Sequence, residues 1–164
     1  MAGPERSSPE ITRASTELIE RVWSEWGIPI VSIPRHYYPA DVEGLIVPSA
    51  AGDDAHAKAL VTWAIDGVRA EIVTLDAFEH GRGYGSDLLA AAERECQSRG
   101  VSEMMLMTTN DNAAALGFYV RRGYRLMRLH HDAMDEVRRV KSHKTREGID
   151  GVDLRDLWEL RKAL

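Results

Sequence analysis

Hydrophobic and polar positions alternate along the chain with periods that predict a succession of helices and strands. From Ser15, apolar residues recur at three- and four-residue spacing up to Gly27, which predicts a helix. Farther along, the runs "KALVTWAI" and "VRAEIVTLDAF" are rich in β-branched residues and flank the pair Asp66 and Gly67. An Asp-Gly pair between two such runs predicts an antiparallel hairpin with a primed turn.

The second half of the chain has the pattern of a strand–helix–strand unit followed by further elements. One apolar face predicts a helix that ends near Gly100, and its members are Leu88, Leu89, Ala92 and Cys96. The run "EMMLMTT" fits a buried strand, although a Met-rich run also suits a helix. Then come a short helix over 113–122, the strand "YRLMRLH", the short helix "DAMDEVRRVK" and the ambiguous run "LRDLWELRKAL", which suits a strand or a helix.

The segment between the first helix and the hairpin has weaker patterns. "IPIVSI" suits a short edge strand because of its prolines, "HYYPADVE" a loop, and "GLIV" a strand ended by Pro48. The whole order predicts an α/β fold with a mixed, mostly antiparallel central sheet flanked by helices. We expect residues 1–9 to be disordered and residues 10–164 to form a single domain.

Composition narrows the class of protein. The 164 residues are 44% hydrophobic and 29% charged, with a net charge of -5, which argues mildly against a nucleic-acid partner. The single cysteine, Cys96, excludes an internal disulfide and suits a reducing cytoplasm. The start "MAGPERSSPE" lacks the apolar segment of a signal peptide, and no apolar run approaches the roughly 18 residues that span a bilayer. We expect a cytoplasmic protein without a membrane partner, as a monomer or homodimer.

The stretch "EHGRGYGSDLL" has three glycines at the junction between a strand and a helix. The first N–H groups of a helix lack internal partners and carry positive partial charge, so glycines there let an anion approach the backbone. A Walker loop is excluded because no lysine is present, and neither register matches a dinucleotide fingerprint cleanly. The pyrophosphate loop of an acyl-CoA enzyme and a glycine turn without a ligand both remain open.

A second motif lies downstream in "TTNDNAAALGFYVRRGYRLMRLH". Here the chain resembles the GNAT superfamily of N-acetyltransferases, whose later motif has the form N-x-x-A-x-x-F-Y-x-x-x-G-F. The matching residues are Asn112, Ala115, Phe118, Tyr119 and Gly123, with Tyr124 for the usual Phe. Gly83 and Gly85 match the family's Q/R-x-x-G-x-G/A motif, but His80 stands at its first position. The resemblance covers roughly Leu60 to His130 and favours the acyl-CoA interpretation of the glycine loop.

The resemblance implies that acetyl-CoA is the acyl donor. It implies a pyrophosphate site formed by Gly81, Arg82, Gly83, Tyr84, Gly85 and Ser86, in which Arg82 compensates for His80. It also implies that two parallel strands, "EIVTLDA" and "MLMTT", splay apart, so that the pantetheine arm pairs with backbone groups of Val73 and Leu75. Asn112 is expected to bond the same arm, although an asparagine there also suits a helix cap.

The resemblance further implies direct acetyl transfer to an amine of a small molecule or peptide. Tyr119 occupies the position that protonates the departing thiolate; otherwise it is an aromatic that packs beside Phe118. Glu71 is the candidate general base, with an exposed strand residue or a salt-bridge partner as the alternative. By alternation Glu71 shares a face with Val73 and Leu75, while Asp76 points to the other face as a fallback base or a residue that positions the glycine loop.

Other residues suggest alternatives that the pattern does not favour. His130, His131 and Asp132 lack the spacing of a helical metal pair, so we predict no metal site and a solvated strand end there. Cys96 lies on an apolar helix face and is expected in the core. A non-catalytic acyl-CoA-binding or sensory module and a nucleotide-binding Rossmann-like protein remain the rival functions.

Overall fold

The computed structural model describes residues 7–53, 55–142 and 144–164, so the start of the predicted disordered segment, residues 1–6, lies outside the described residues. The described strands are β1 Thr12–Arg13, β2 Ile30–Ser32, β3 Arg35–Tyr37, β4 Glu43–Pro48, β5 Ala57–Asp66, β6 Arg69–Ala77, β7 Glu103–Thr109, β8 Arg125–His130 and β9 Leu157–Ala163. The described helices are α1 Thr16–Ser24, α2 Tyr84–Ser98, α3 Ala113–Val120 and α4 Ala133–Val140.

Seven strands form one sheet in the order β1-β4-β5-β6-β7-β9-β8, while β2 and β3 form a separate hairpin. Every neighbouring pair in the large sheet is antiparallel except β6 and β7, which are parallel. The predicted mixed, mostly antiparallel α/β sheet is therefore confirmed. Its one parallel pair is connected through α2, as a crossover between parallel strands requires.

Helices pack on both faces of the sheet, and on each face an apolar cluster lies between the helices and the strands. On the back face, α2 packs Leu88, Leu89, Ala92 and Cys96 into the largest core cluster, and α3 joins it with Leu116 and Phe118. On the front face, α1 buries Leu18, Ile19 and Trp23 against β4 and β5. Helix α4 covers the front face farther along, where it packs against the β2–β3 hairpin and Met107. Cys96 is a buried core residue, as predicted.

The predicted hairpin of β5 and β6 is present, with its turn one residue later than the Asp-Gly pair suggested. Asp66 pairs with Arg69, so the two loop residues are Gly67 and Val68. Gly67 has a φ of 61°, which suits the first loop position of a primed turn. The turn type was therefore predicted correctly, but the glycine occupies the first loop position rather than the second.

Two segments differ from their predicted structure. Part of "HYYPADVE" is strand and not loop, because His36 and Tyr37 belong to β3 and Tyr37 is buried in the front-face core. The ambiguous run near the C-terminus is β9, which inserts between β7 and β8 rather than forming a last helix. Leu157, Glu159 and Leu160 of β9 are all buried, which a strand covered on both faces allows.

Candidate active site

A bulge in β6 and a splayed strand pair create an opening in the middle of the sheet. Thr62 of β5 pairs with Thr74, but the next residue of β5, Trp63, pairs with Ile72, so Val73 is an extra residue. The parallel pairing of β6 with β7 ends at Ile72 and Leu106. Beyond this point the two strands separate, as predicted, and the backbone of Val73 to Leu75 no longer has a ladder partner on β7.

The bulge changes which side chains share a face and corrects the alternation argument. Glu71 and Val73 do lie on the front face, but Leu75 packs into the back-face core. Asp76 pairs with Leu60 of the front-face cluster, so it lies on the same face as Glu71 and not on the opposite one. The prediction was wrong because an inserted residue shifts the period-two pattern of every residue after it.

The opening leads into a cavity of about 300 Å³, the donor cavity, between the splayed strands and α3. It is lined by Trp26, Ile30, Ile72, Val73, Thr74, Leu75, Asp76, Leu106, Met107, Thr108, Asn112, Ala115 and Tyr119. The structure therefore brings together four of the site residues that the family resemblance implied, namely Val73, Leu75, Asn112 and Tyr119. The same cavity contains Asp76, which sequence reasoning had placed on the other face of the strand.

Tyr119 is buried and held by two edge-on aromatic contacts in the wall of the donor cavity. Its ring centroid lies 5.1 Å from that of Phe118 and 5.5 Å from that of Tyr124. Burial raises the pKa of Tyr119, and the nearby carboxyl of Asp76 adds to the increase. The phenol therefore stays protonated at neutral pH and is available as a hydrogen-bond donor. Its hydroxyl forms no hydrogen bond with any described residue.

Asp76 has an unusual environment for a carboxyl group. Its Oδ2 atom is buried and has no hydrogen-bond partner among the described residues. Burial raises the pKa of Asp76 to about 7, with the Thr74 hydroxyl acting in the opposite direction. The carboxyl thus has one oxygen available to a ligand in the donor cavity and changes charge near neutral pH.

We expect Asp76→Asn to stabilise the protein at alkaline pH. Because the pKa of Asp76 is raised in the folded state, the folded chain binds this proton more tightly than the unfolded chain does. The protonated carboxyl therefore stabilises the wild type below pH about 4, and that stabilisation is lost as pH rises through about 7. The variant should match the wild type at pH 4 and exceed its free energy of unfolding above pH 8 by on the order of 3 kcal/mol. Urea unfolding across this range measures the difference. A constant difference at all pH values would contradict the assignment, and the exposed Glu79→Gln serves as the control.

The glycine loop forms the predicted turn at the N-terminus of α2. Gly81 and Gly83 have φ values of 73° and 75°, a left-handed conformation that side chains with a Cβ rarely adopt. Gly83 is the N-cap, and the first turn of α2 contains Ser86. The hydroxyl of Ser86 accepts a hydrogen bond from Arg122, a cation that the motif comparison had not singled out. Arg122 follows Tyr119 by three residues, and its hydrogen bond to Ser86 places it beside the loop.

The other residues that were predicted to bind acetyl-CoA do not all lie in the donor cavity. Arg82 and Tyr84 line a groove of about 340 Å³ with Lys58, separate from the donor cavity. His80 is exposed. Asn112 caps α3, because its side-chain oxygen accepts from the Ala115 N–H at 3.0 Å. The cap uses the side-chain oxygen of Asn112 but not its side-chain amide nitrogen. Because Asn112 also lines the donor cavity, that nitrogen can bond a ligand, so the cap and ligand interpretations are compatible.

A second cavity, the acceptor cavity, adjoins the donor cavity on the front face and shares Met107 with it. It measures about 270 Å³. Its charged and polar wall residues are Ser32, Arg35, Asp66, Arg69, Glu71, Arg128, His130, Glu159 and Arg161. Glu71, the predicted general base, is part of this wall and is only 5% exposed.

The carboxylate of Glu71 is held by hydroxyl groups from the β2–β3 hairpin. Ser32 Oγ donates to one oxygen, and the Tyr37 hydroxyl donates to the other at 2.7 Å. Burial raises the pKa of Glu71, while these two hydrogen bonds act to lower it. Burial and the contact with Glu71 raise the pKa of Tyr37 to about 12. Glu71 is therefore a positioned carboxyl and neither an exposed residue nor half of an ion pair.

Sequence reasoning missed a histidine–carboxylate pair in the acceptor cavity. His130 Nε2 lies 2.7 Å from Glu159 Oε2, and Arg161 donates to the other oxygen of Glu159 at 2.6 Å. Burial acts to raise the pKa of Glu159, but the hydrogen bonds from His130 and Arg161 outweigh it and lower the pKa. The prediction of a solvated strand end was wrong for His130, which is only 16% exposed, whereas His131 and Asp132 are exposed.

Within residues 7–53, 55–142 and 144–164, no cluster of three or more His, Cys, Asp or Glu side chains is arranged to bind a metal ion. Among the helices of the same residues, none has the length and apolar character needed to cross a membrane.

Comparison with known proteins supplies the family. A sequence model of the Acetyltransferase (GNAT) family matches residues 57–124, which contain both motifs, the donor cavity strands and Glu71. The chain is also 34% identical over 140 residues to the uncharacterized protein YxbD of Bacillus subtilis (strain 168), covering 85% of this chain and 86% of that protein. The chain belongs to the GNAT acetyltransferase family. Acetyl transfer is therefore its general chemistry.

Solved GNAT structures share the fold over nearly the full chain. An IAA acetyltransferase from Bacillus cereus ATCC 14579 superposes with a TM-score of 0.73 at 21% identity, covering 96% of this chain and 100% of the other. A GNAT family acetyltransferase from Elizabethkingia anophelis with acetyl-CoA bound gives 0.71 at 14% identity, covering 97% and 100%. At these identities the likeness establishes the fold and leaves the acceptor of this GNAT protein open.

Proposed function

We propose that the protein is an N-acetyltransferase that moves an acetyl group directly from acetyl-CoA to an amine. The observation that carries this proposal is the pair of adjoining cavities on either side of the splayed strands. One contains a protonated phenol, and the other contains a positioned carboxyl. The burial of Cys96 fits a reaction that needs no protein nucleophile. The proposed location of this reaction is the reducing cytoplasm.

Acetyl-CoA as the donor is supported by the shape of the donor cavity and by the loop beside it. The unpaired edge of β6 suits a pantetheine arm that pairs with main-chain groups, in the manner of an added strand. The Oδ2 atom of Asp76, which is buried and bonded by no described residue, provides a polar contact in the same cavity. The N-terminus of α2 and Arg122 suit the pyrophosphate. The Elizabethkingia neighbour, which has the same fold, was crystallised with acetyl-CoA.

Two residues divide the proton transfers between the cavities. In the acceptor cavity, Glu71 takes the proton that the amine loses as its nitrogen bonds to the acetyl carbon. In the donor cavity, Tyr119 gives its proton to the sulfur as the carbon–sulfur bond breaks. Glu71 then releases a proton to water, and Tyr119 regains one, so the products are the acetamide and the free thiol of CoA.

Thiol release from acetyl-CoA in the presence of a broad amine panel tests the proposal. Turnover that requires an amine, with the acetamide found by mass spectrometry, is the expected result. Saturable acetyl-CoA binding without turnover on any amine would instead favour a non-catalytic acyl-CoA-binding module. Tighter binding of NAD than of CoA in competitive thermal shifts would favour a nucleotide-binding protein.

We expect Gly85→Ala to retain both the fold and CoA binding, because the family motif accepts alanine at this position. A Cβ added at Gly85 would meet only Phe118, at an ordinary contact distance of 3.7 Å, and the helical backbone accepts alanine. The free energy of unfolding should stay equal or rise slightly, and the CoA dissociation constant should change by less than about threefold. Calorimetric titration with CoA measures this change.

Gly83→Ala provides the contrast for this prediction. Its φ of 75° makes any side chain strained, so the variant should lose about 1 kcal/mol of stability in addition to affinity. Unchanged CoA affinity in Gly83→Ala, or an equal loss of affinity in both variants, would contradict the assignment of the phosphate to this loop.

A further inference from the structure

The charged side chains in the wall of the acceptor cavity are matched in pairs, with two exceptions. The matched sets are Arg35 with Asp66, Arg69 with Glu103, and Arg161 with Glu159, whose other carboxylate oxygen is hydrogen-bonded to His130. The first exception is Glu71, whose carboxylate is bonded by hydroxyls alone. The second is Arg128, which has no ion pair or hydrogen bond with any residue in the described ranges. The wall thus presents one unmatched acid and one unmatched cation.

A second bulge turns Arg128 toward this cavity. Leu126 pairs with Leu160 of the back-face core, whereas Arg128 pairs with Glu159 of the acceptor cavity, so Met127 is an extra residue in β8. Without the extra residue, Leu126 and Arg128 would share one face. Arg128 also lines an outer groove of about 580 Å³ between the β2–β3 hairpin and α4, which places it at the mouth of the acceptor cavity.

We propose that the acceptor is a small amine that carries a carboxylate, of the size of an amino acid, with its amine at Glu71 and its carboxylate at Arg128. The inference rests on the proposed N-acetyltransferase function. An arginine binds a carboxylate through two parallel hydrogen bonds, which gives both affinity and orientation. Met105 and Met107 provide apolar wall for the carbon skeleton. The volume of about 270 Å³ lies just below the roughly 300–1,000 Å³ of typical small-molecule sites, which limits the acceptor to a small molecule.

Matched acceptors test the charge requirement. The panel contains the common amino acids, their carboxamides, and the corresponding amines that lack the carboxyl group, all assayed by thiol release. The expected result is a best substrate that is an amino acid, with kcat/KM reduced about tenfold to a hundredfold in its carboxamide and its decarboxylated amine. Calorimetric binding of the same three compounds to the CoA-saturated protein gives a readout that does not need turnover.

Arg128→Gln should remove this preference. The variant is expected to raise KM for the amino acid by about tenfold or more, and to leave KM for the decarboxylated amine and for acetyl-CoA unchanged. Arg125→Gln is the control, because Arg125 lies on the same strand, carries the same charge and lines neither cavity. It should retain the wild-type preference.

The outcomes separate this inference from the proposed function. Turnover with equal or better use of amines that lack a carboxylate overturns the inference and leaves N-acetylation intact. Equal losses for all three compounds in Arg128→Gln overturn it as well. Acetyl-CoA binding without turnover on any amine overturns the proposed function and with it the acceptor role, and calorimetry then decides only whether the cavity binds an amino acid through Arg128.

Discussion

Tyr119→Phe is expected to lower kcat by about a hundredfold or more while leaving the affinity for acetyl-CoA nearly unchanged. The substitution removes only the hydroxyl, which forms no hydrogen bond with any described residue, and keeps the ring that packs against Phe118 and Tyr124. Stability should therefore change little, and the loss should be confined to proton delivery to the thiolate. Steady-state kinetics together with calorimetric titration of CoA separates these effects.

Tyr124→Phe is the matched control for this variant. Its hydroxyl donates to Glu93 at 2.9 Å on the far side of the ring cluster, away from the donor cavity. Loss of that hydrogen bond should cost about 1 kcal/mol of stability with kcat retained. An unchanged kcat in Tyr119→Phe would exclude Tyr119 as the acid and leave its packing as its only role.

Glu71→Gln should abolish most of the activity, by about a hundredfold to ten-thousandfold in kcat/KM, without unfolding the protein. Glutamine keeps the size of the side chain and can bond both Ser32 and Tyr37, but it cannot accept a proton from the amine. Because burial raises the pKa of Glu71, its ionised form is disfavoured in the fold, so the neutral variant should be at least as stable at pH 8.

The pH profile provides the sharper readout for Glu71. In the wild type, kcat/KM should fall as pH decreases through the pKa of Glu71, which lies above its ordinary value. The residual activity of Glu71→Gln should lack this acid limb. Asp66→Asn removes an exposed carboxylate from the same cavity wall and should keep the wild-type profile. A profile that follows His130→Gln instead would assign the base to the His130–Glu159 pair.

Periodicity and motif spacing predicted much of this fold. The β5–β6 hairpin, the crossover through α2 and the capped helix α3 all have local signals that span fewer than about fifteen residues, namely turn residues, apolar faces and a cap. Tyr119 and Asn112 were identified through the same local motif, and the structure places both in the donor cavity.

The acceptor side could not be predicted in the same way, because its contacts join distant segments. Glu71 is bonded by Ser32 and Tyr37, which precede it by 39 and 34 residues, and His130 meets Glu159 only because β9 inserts beside β8. The bulge at Val73 has no sequence signal in a run of β-branched residues, so strict alternation misplaced Leu75 and Asp76. The inserted residue Val73 therefore caused the main error in predicting which side chains of β6 share a face.

The β2–β3 hairpin has a consequence for how new specificities could arise in this protein. Its Ser32 both forms part of the acceptor cavity wall and, with Tyr37, lowers the pKa of Glu71 against the larger opposite effect of burial. Under the proposed mechanism, recognition of the amine and the strength of the base are inseparable in this segment. A sequence change that reshapes the hairpin for a different amine would also shift the acidity at which the enzyme works, so selection on substrate choice and on working pH would act on the same few codons.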